Sequence, residues 1–226
     1  ELFFNINFTN MKDTFIEQLN SFQWSSVNAS LDGYGIVNEY IRAPSRWDQI
    51  DKNFRKLAAE GGRNIALGIS PVIQIYNVLH IVDLLEYAEQ VMEESGREII
   101  VDFLFCLHPD FLDIVHLPDN IKHEALQRLE DFKMTSQVYG SETEKSFFMK
   151  NGIDSMITRI KQSMGKENPE MIRDFLNYTK TLDLERKQSL KETLPELVFL
   201  LNEAGYSYDE TMVMQGESPV STAELS

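Results

Sequence analysis

Cysteine is almost missing from this 226-residue chain, where Cys106 stands alone. One thiol excludes any intrachain disulfide, excludes a thiolate-ligated cluster built from this chain by itself, and points to a reducing, cytoplasmic setting. Basic residues are also scarce. Lys and Arg number 21 against 36 Asp and Glu, a net charge of −15, the opposite of what a binder of nucleic-acid phosphates requires. Long apolar runs are absent too. The stretch 72–85 is broken by Gln74, Asn77, His80 and Asp83, short of the roughly 18 uninterrupted apolar residues that signal a membrane span. Neither nucleic acid nor a membrane is therefore an expected partner. No G-x-x-x-x-G-K-[ST] loop, G-x-G-x-x-G turn or G-x-S-x-G elbow occurs, which removes the commonest phosphate-cradle and serine-nucleophile readings. His108, His116 and His123 are too irregularly spaced for a zinc site.

What is present reads as a globular α/β chain, 42% apolar and 25% charged. Apolar runs at 2–8, 26–31, 65–75 and 99–107 predict four strands, the third interrupted by Pro71. Helical spacing at 12–22, 47–57 and 78–92 fills the gaps, with Gly61 and Gly62 in the position of a C-cap. Short alternating connections of this kind mean βαβ units, and the nearly continuous run at 99–107 predicts a strand buried on both faces. Beyond His108–Pro109 only helices are expected, at 122–131, 152–164, 169–182 and 189–204, the third opened by Asn168 as N-cap and Pro169 at the first position. The expected division is a partial barrel over 1–118, a helical extension over 119–204 and a mobile acidic tail over 205–226. An apolar strand starting at the first residue, without Met, reads as a chain cut within a larger protein.

The richest segment is 28–42. Ser30 and Asp32 are two apart at the end of a strand, so both point to one side, and Arg42 follows with a planar fork suited to a carboxylate. Ligands of parallel α/β sheets bind at that end of the strands. Turn chemistry is the competing account: Asp32–Gly33 shapes a turn, and Arg42 pairs with Asp32 or Glu39. Thr9 and Asn10 end the first strand, where a helix-capping turn is the alternative. Ser70, Pro71 and Asn77 follow the third strand, and His108 ends the fourth as a hydrogen-bonded turn residue. Cys106 reads as a small buried hydrophobe.

Taken together, Ser-Leu-Asp-Gly at 30–33, Val-Asn-Glu-Tyr-Ile-Arg at 37–42 and Trp47 resemble the fourth strand and following loop of radical S-adenosylmethionine enzymes of the SPASM/twitch branch. Phe-Thr-Asn at 8–10 is similar to the end of that branch's third strand, with Met11 replacing a glycine. The run 69–77 resembles the fifth strand and its exit, and His108–Pro109 with Leu117–Pro118 the sixth. Thr-Leu-Asp-Leu-Glu-Arg at 181–186 with Leu-Pro-Glu-Leu at 194–197 resembles the helical C-terminus of twitch proteins.

The resemblance implies an α/β fold, strands three to six of a partial TIM-like (β/α)6 barrel followed by a helical extension. It implies S-adenosylmethionine and a 4Fe–4S cluster as cofactors, an external electron donor, and a 5′-deoxyadenosyl radical that abstracts hydrogen from a peptide or protein substrate. By position, Ser30, Arg42, Ser70 and the backbone near Leu67 would hold S-adenosylmethionine, with Asp32 holding the loop or Arg42. Thr9, Asn10, Asn77 and His108 would line the substrate cavity. The C-x-x-x-C-x-x-C loop of the family is absent from this sequence, so the chain alone would be inert. The alternative is a non-catalytic half-barrel acting as a binding or scaffold protein. A surface at −15 would suit a basic substrate.

Overall fold

The computed structural model describes residues 1–12, 14–141 and 146–209. β1 (Leu2–Ile6), β2 (Ser25–Ala29), β3 (Ile65–Ile69) and β5 (Ile99–Val101) form a parallel sheet in the order β1-β2-β3-β5. β4 (Val72–Ile73) and β6 (Leu104–Phe105) pair in parallel just beyond it. Hydrogen bonds from Asp102 N to Ile69 O and from Leu104 N to Pro71 O (3.0 and 2.9 Å) carry the β3–β5 ladder straight into that second pair. The runs expected at 65–75 and 99–107 are therefore each one strand with a break. In the first the break falls at Pro71, which has no N–H to give a ladder.

Between the strands lie α1 (Thr14–Asn20), α2 (Ile36–Ile41), α3 (Trp47–Glu60) and α4 (Ile81–Ser95). α2 was not foreseen in the sequence and occupies the segment read as loop. α4 begins three residues later than its apolar spacing suggests. The reason is Asn77, whose Oδ1 accepts from Gln74 N at 2.8 Å and locks a turn there. The end of α3 is also unlike the expected glycine cap. Gly61 is extended (φ −65°), and the carbonyls at the helix end are taken by Arg97, whose Nε donates to Ala58 O at 2.8 Å and whose Nη2 donates to Gly61 O, while Nη1 reaches Ile65 O of β3 at 2.7 Å. Burial pushes that guanidinium's pKa down.

The helical half comprises α5 (Asp119–Thr135), α6 (Gln137–Gly140), α7 (Ser146–Ser163), α8 (Pro169–Arg186), α9 (Leu190–Thr193) and α10 (Pro195–Glu203). Asn168 caps α8 as expected, its Oδ1 accepting from Glu170 N and Met171 N at 3.1 and 3.3 Å. The helix expected at 189–204 is two helices, because Pro195 lacks an N–H and restarts the turn as a first-position residue. Of the expected tail, Gly205–Asp209 folds back: Tyr206 donates to Glu167 at 2.9 Å and Tyr208 to Asp183 at 2.5 Å. Residues 210–226 of that tail lie outside the described residues.

One hydrophobic core runs through both halves. The register sets Val27, Leu67 and Ile99 side by side, and likewise Ala29, Ile69 and Val101, all buried. α4 and α7 close over β5 on that side; Gly152 of α7 leaves no room for a Cβ, which would lie 2.7 Å from the Phe103 ring. The alternate residues face away. Phe3 is 67% exposed, Asn5 is exposed, and Asn28 and Ile100 are half-buried. The expectation of strands buried on both faces is thus corrected: the helices cover one face and leave the other open. No helix among the described residues is long and apolar enough to cross a membrane.

Candidate functional site

The strand periodicity of two, carried past the strand ends, puts the polar positions on the open face. Ser30 N donates to Ile6 O at 2.9 Å and Ser70 N to Ala29 O at 3.0 Å, so Ser30, Ser70 and Asp102 fall in one row, above the row Asn5, Asn28, Gly68 and Ile100. A Cβ on Gly68 would lie 2.3 Å from Asn28 Oδ1 and 3.1 Å from Ile100 O.

One residue pair higher, the column ends in a cavity of about 640 Å³, walled by Asn7, Thr9, Asp32, Arg42, Val72 and Gln74 from the sheet side and by Tyr178, Leu182, Asp183 and Arg186 from α8. The wall is held by Asp32, which is 4% exposed. Its Oδ1 accepts from Val72 N at 2.8 Å, its backbone N donates to Asn38 Oδ1 at 3.0 Å, and its carbonyl accepts from Asn77 Nδ2 at 2.7 Å. Its Oδ2 lies 2.7 Å from Arg42 Nε. That last contact joins two charges without an aligned N–H, since Arg42 Nε makes no hydrogen bond of good geometry. The terminal nitrogens of Arg42 have no protein partner among the described residues, and its side chain is 30% exposed. Asp32 therefore aims the fork and leaves its working end free.

The opposite wall is built on Asp183. Tyr40 donates to its Oδ1 at 2.8 Å, while Leu190 N and Tyr208 donate to its Oδ2 at 2.6 and 2.5 Å. Burial, with Tyr76 and Asp183 nearby, pushes the Tyr40 phenol well above its ordinary pKa. Tyr76, whose ring meets Tyr40 at 5.6 Å and whose hydroxyl bonds Thr179 at 2.7 Å, is also raised by burial. The charge of Arg186, which lines the same cavity, opposes that rise.

The sequence-predicted residues divide accordingly. Thr9, Asp32 and Arg42 meet in the cavity, and Ser30 and Ser70 lie on the open face below it. Leu67 is 1% exposed with its side chain on the covered face, and Gly68 beside it is buried too, beneath the Asn28 side chain. Asn77 is fully buried inside the wall it stabilises and does not line the cavity. Asn10 is exposed outside it. His108 is also outside, its ring 90% exposed and its Nδ1 3.0 Å from Asp110 Oδ1. Cys106 is half-buried, not buried, with Sγ 3.4 Å from His108 O and its thiol pushed up by desolvation.

Sequence reasoning assigned no role to Tyr40, Gln74, Tyr178, Asp183 or Arg186. All five sit in runs that carried the resemblance or directly beside them, and only the packing of α8 onto the strand ends reveals their place. Among the described residues no group of three or more His, Cys, Asp or Glu could hold a metal ion. Comparison with known protein families, with curated proteins and with solved structures finds no match to this chain.

Proposed function

We propose that this chain is the C-terminal part of a radical S-adenosylmethionine enzyme, carrying strands three to six of a (β/α)6 barrel and a helical extension, and acting on a peptide or protein. The observation that carries the reading is the Asp32–Arg42 pair, set in the Ser-Leu-Asp-Gly…Arg segment at the carboxyl end of a parallel sheet. The strand order supports it. Doubly wound sheets reverse order at a switch point, and ligands bind there; here the order follows the chain without reversal, as in a barrel whose concave interior is the uncovered face.

The residues fit S-adenosylmethionine. Arg42 offers a free planar fork to the methionine carboxylate, and Ser30 and Ser70 present hydroxyls on the open face for the ribose. They do not fit the cluster: a single half-buried cysteine supplies no ligand set. What this chain contributes is binding, orientation and exclusion of water by the α8 wall.

The decisive experiment begins with the coding sequence upstream of Glu1. An in-frame C-x-x-x-C-x-x-C is expected, and the full protein, reduced anaerobically, should convert S-adenosylmethionine to methionine and 5′-deoxyadenosine. In that protein Arg42→Ala should weaken S-adenosylmethionine binding about tenfold or more with iron content unchanged, and Arg42→Lys, which keeps the charge but loses the fork, should recover only part. Absence of the motif, or equal affinity in Arg42→Ala and the parent, sinks the reading and leaves a binding protein.

A further inference from the structure

The cavity has an imbalance that the Arg42 assignment does not use. Both carboxylates in its wall are saturated. Asp32 is taken by Val72 N and Arg42, and Asp183 by Tyr40, Tyr208 and Leu190 N. The donors are not. Gln74 is 7% exposed and lines the cavity, and its backbone N is bonded to Asn77, yet its side-chain amide meets no hydrogen-bond partner among the described residues. Its amide atoms are not sealed off from the cavity, so their bonding capacity is open to what enters it. Tyr178, its ring against Phe111 at 5.0 Å, has a hydroxyl without a protein partner among the described residues. Arg186 forms no ion pair there either, although the chain carries an excess of 15 negative charges that could supply one.

Surplus donors lining one recess call for a ligand that brings acceptors, and a planar guanidinium fork matches the two-oxygen geometry of a carboxylate. We propose that the cavity's free donors, Arg186 and Tyr178 from α8 and Gln74 from the sheet side, form a carboxylate-binding subsite that selects an acidic side chain of a peptide. A recess of about 640 Å³ is within the usual size of small-ligand sites and takes a side chain with its flanking backbone. The local chemistry thus runs opposite to the partner that the overall charge would suggest. Net charge governs approach over long distances, whereas the donors lining the recess govern what is held. The inference rests on the proposed function only in calling this ligand the substrate; the subsite itself does not depend on it.

The test uses the chain without cluster or S-adenosylmethionine, titrated with acetyl-Gly-Glu-Gly-amide and its glutamine isostere by ligand-observed NMR. The Glu peptide should bind about tenfold more tightly, and Arg186→Gln should bring the two affinities together. Because Arg186 is exposed and bonded to no protein group among the described residues, that variant should melt as the parent does. Equal binding of the two peptides overturns the inference, as does binding of neither at millimolar concentration. A Glu preference that survives Arg186→Gln overturns it as well. None of these outcomes bears on the upstream cysteine motif, so this inference and the proposed function fail separately.

Discussion

The two faces of the sheet are built from the same short strands and do opposite work. On the covered face Val27, Leu67 and Ile99 are sealed under helices, and nearly every position is a branched aliphatic. On the open face the matching row is Asn5, Asn28, Gly68 and Ile100, with Ser30 and Ser70 above it and Phe3 below, and all but Ile100 and Phe3 are polar or without a side chain. Burial alone separates them, since backbone pairing is shared residue for residue. The difference teaches where selection for stability stops in this molecule and where the capacity to bind begins.

The contrast breaks most readily by truncation. Ile69→Ala on the covered face should cost about 2–4 kcal/mol, because it removes apolar contacts and leaves a cavity. Ile100→Ala, one residue pair away on the open face, should cost less than about 1 kcal/mol. Urea midpoints at unchanged slope would show this; equal losses would mean the second face is also packed. The next effect is at the junction of the open face and the cavity. Asp32→Ala strands Arg42 and the Val72 N–H, and should cost about 2–3 kcal/mol. Asp32→Asn keeps an acceptor and should cost roughly half that. A silent Asp32→Ala would mean that the pair is ornamental and Arg42 is not aimed by it.

The smallest effect concerns pH. Tyr40, Tyr76 and Tyr208 on the α8 wall all have phenols raised by burial. A raised acid binds its proton longer in the folded state, so this contribution is complete below the ordinary tyrosine value of about 10 and is lost as pH climbs above it. Melting temperatures should fall between pH 10 and 11.5, and Tyr40→Phe should flatten that fall while lowering the plateau. An unchanged slope would show that the Tyr40 phenol is not the group responsible.

The covered face was legible in the sequence because period-two aliphatics flanked by helical stripes admit few other packings. Strand–helix alternation placed all four main strands within a few residues. The open face was not legible at 99–107. Ile100, Leu104 and Leu107 are apolar yet at least half-exposed or half-buried, so composition there imitates a strand buried on both sides. Ser30, Asp32, Arg42 and Thr9 were recoverable from position at strand ends. Asp183 and Arg186 were not, because their role depends on where α8 lands, some 140 residues beyond Tyr40 in the chain, and no local pattern encodes a contact of that range. Asn77 and His108 show the converse. Polar residues at strand exits are natural candidates for a site, but one is consumed in holding a turn and the other points to solvent.

Asp183 ties α2 through Tyr40, the start of α9 through Leu190 and the segment after α10 through Tyr208. Three pieces of chain thus share one carboxylate, and none can leave without uncovering a buried charge. The α8 wall is accordingly a fixed partition and not a door.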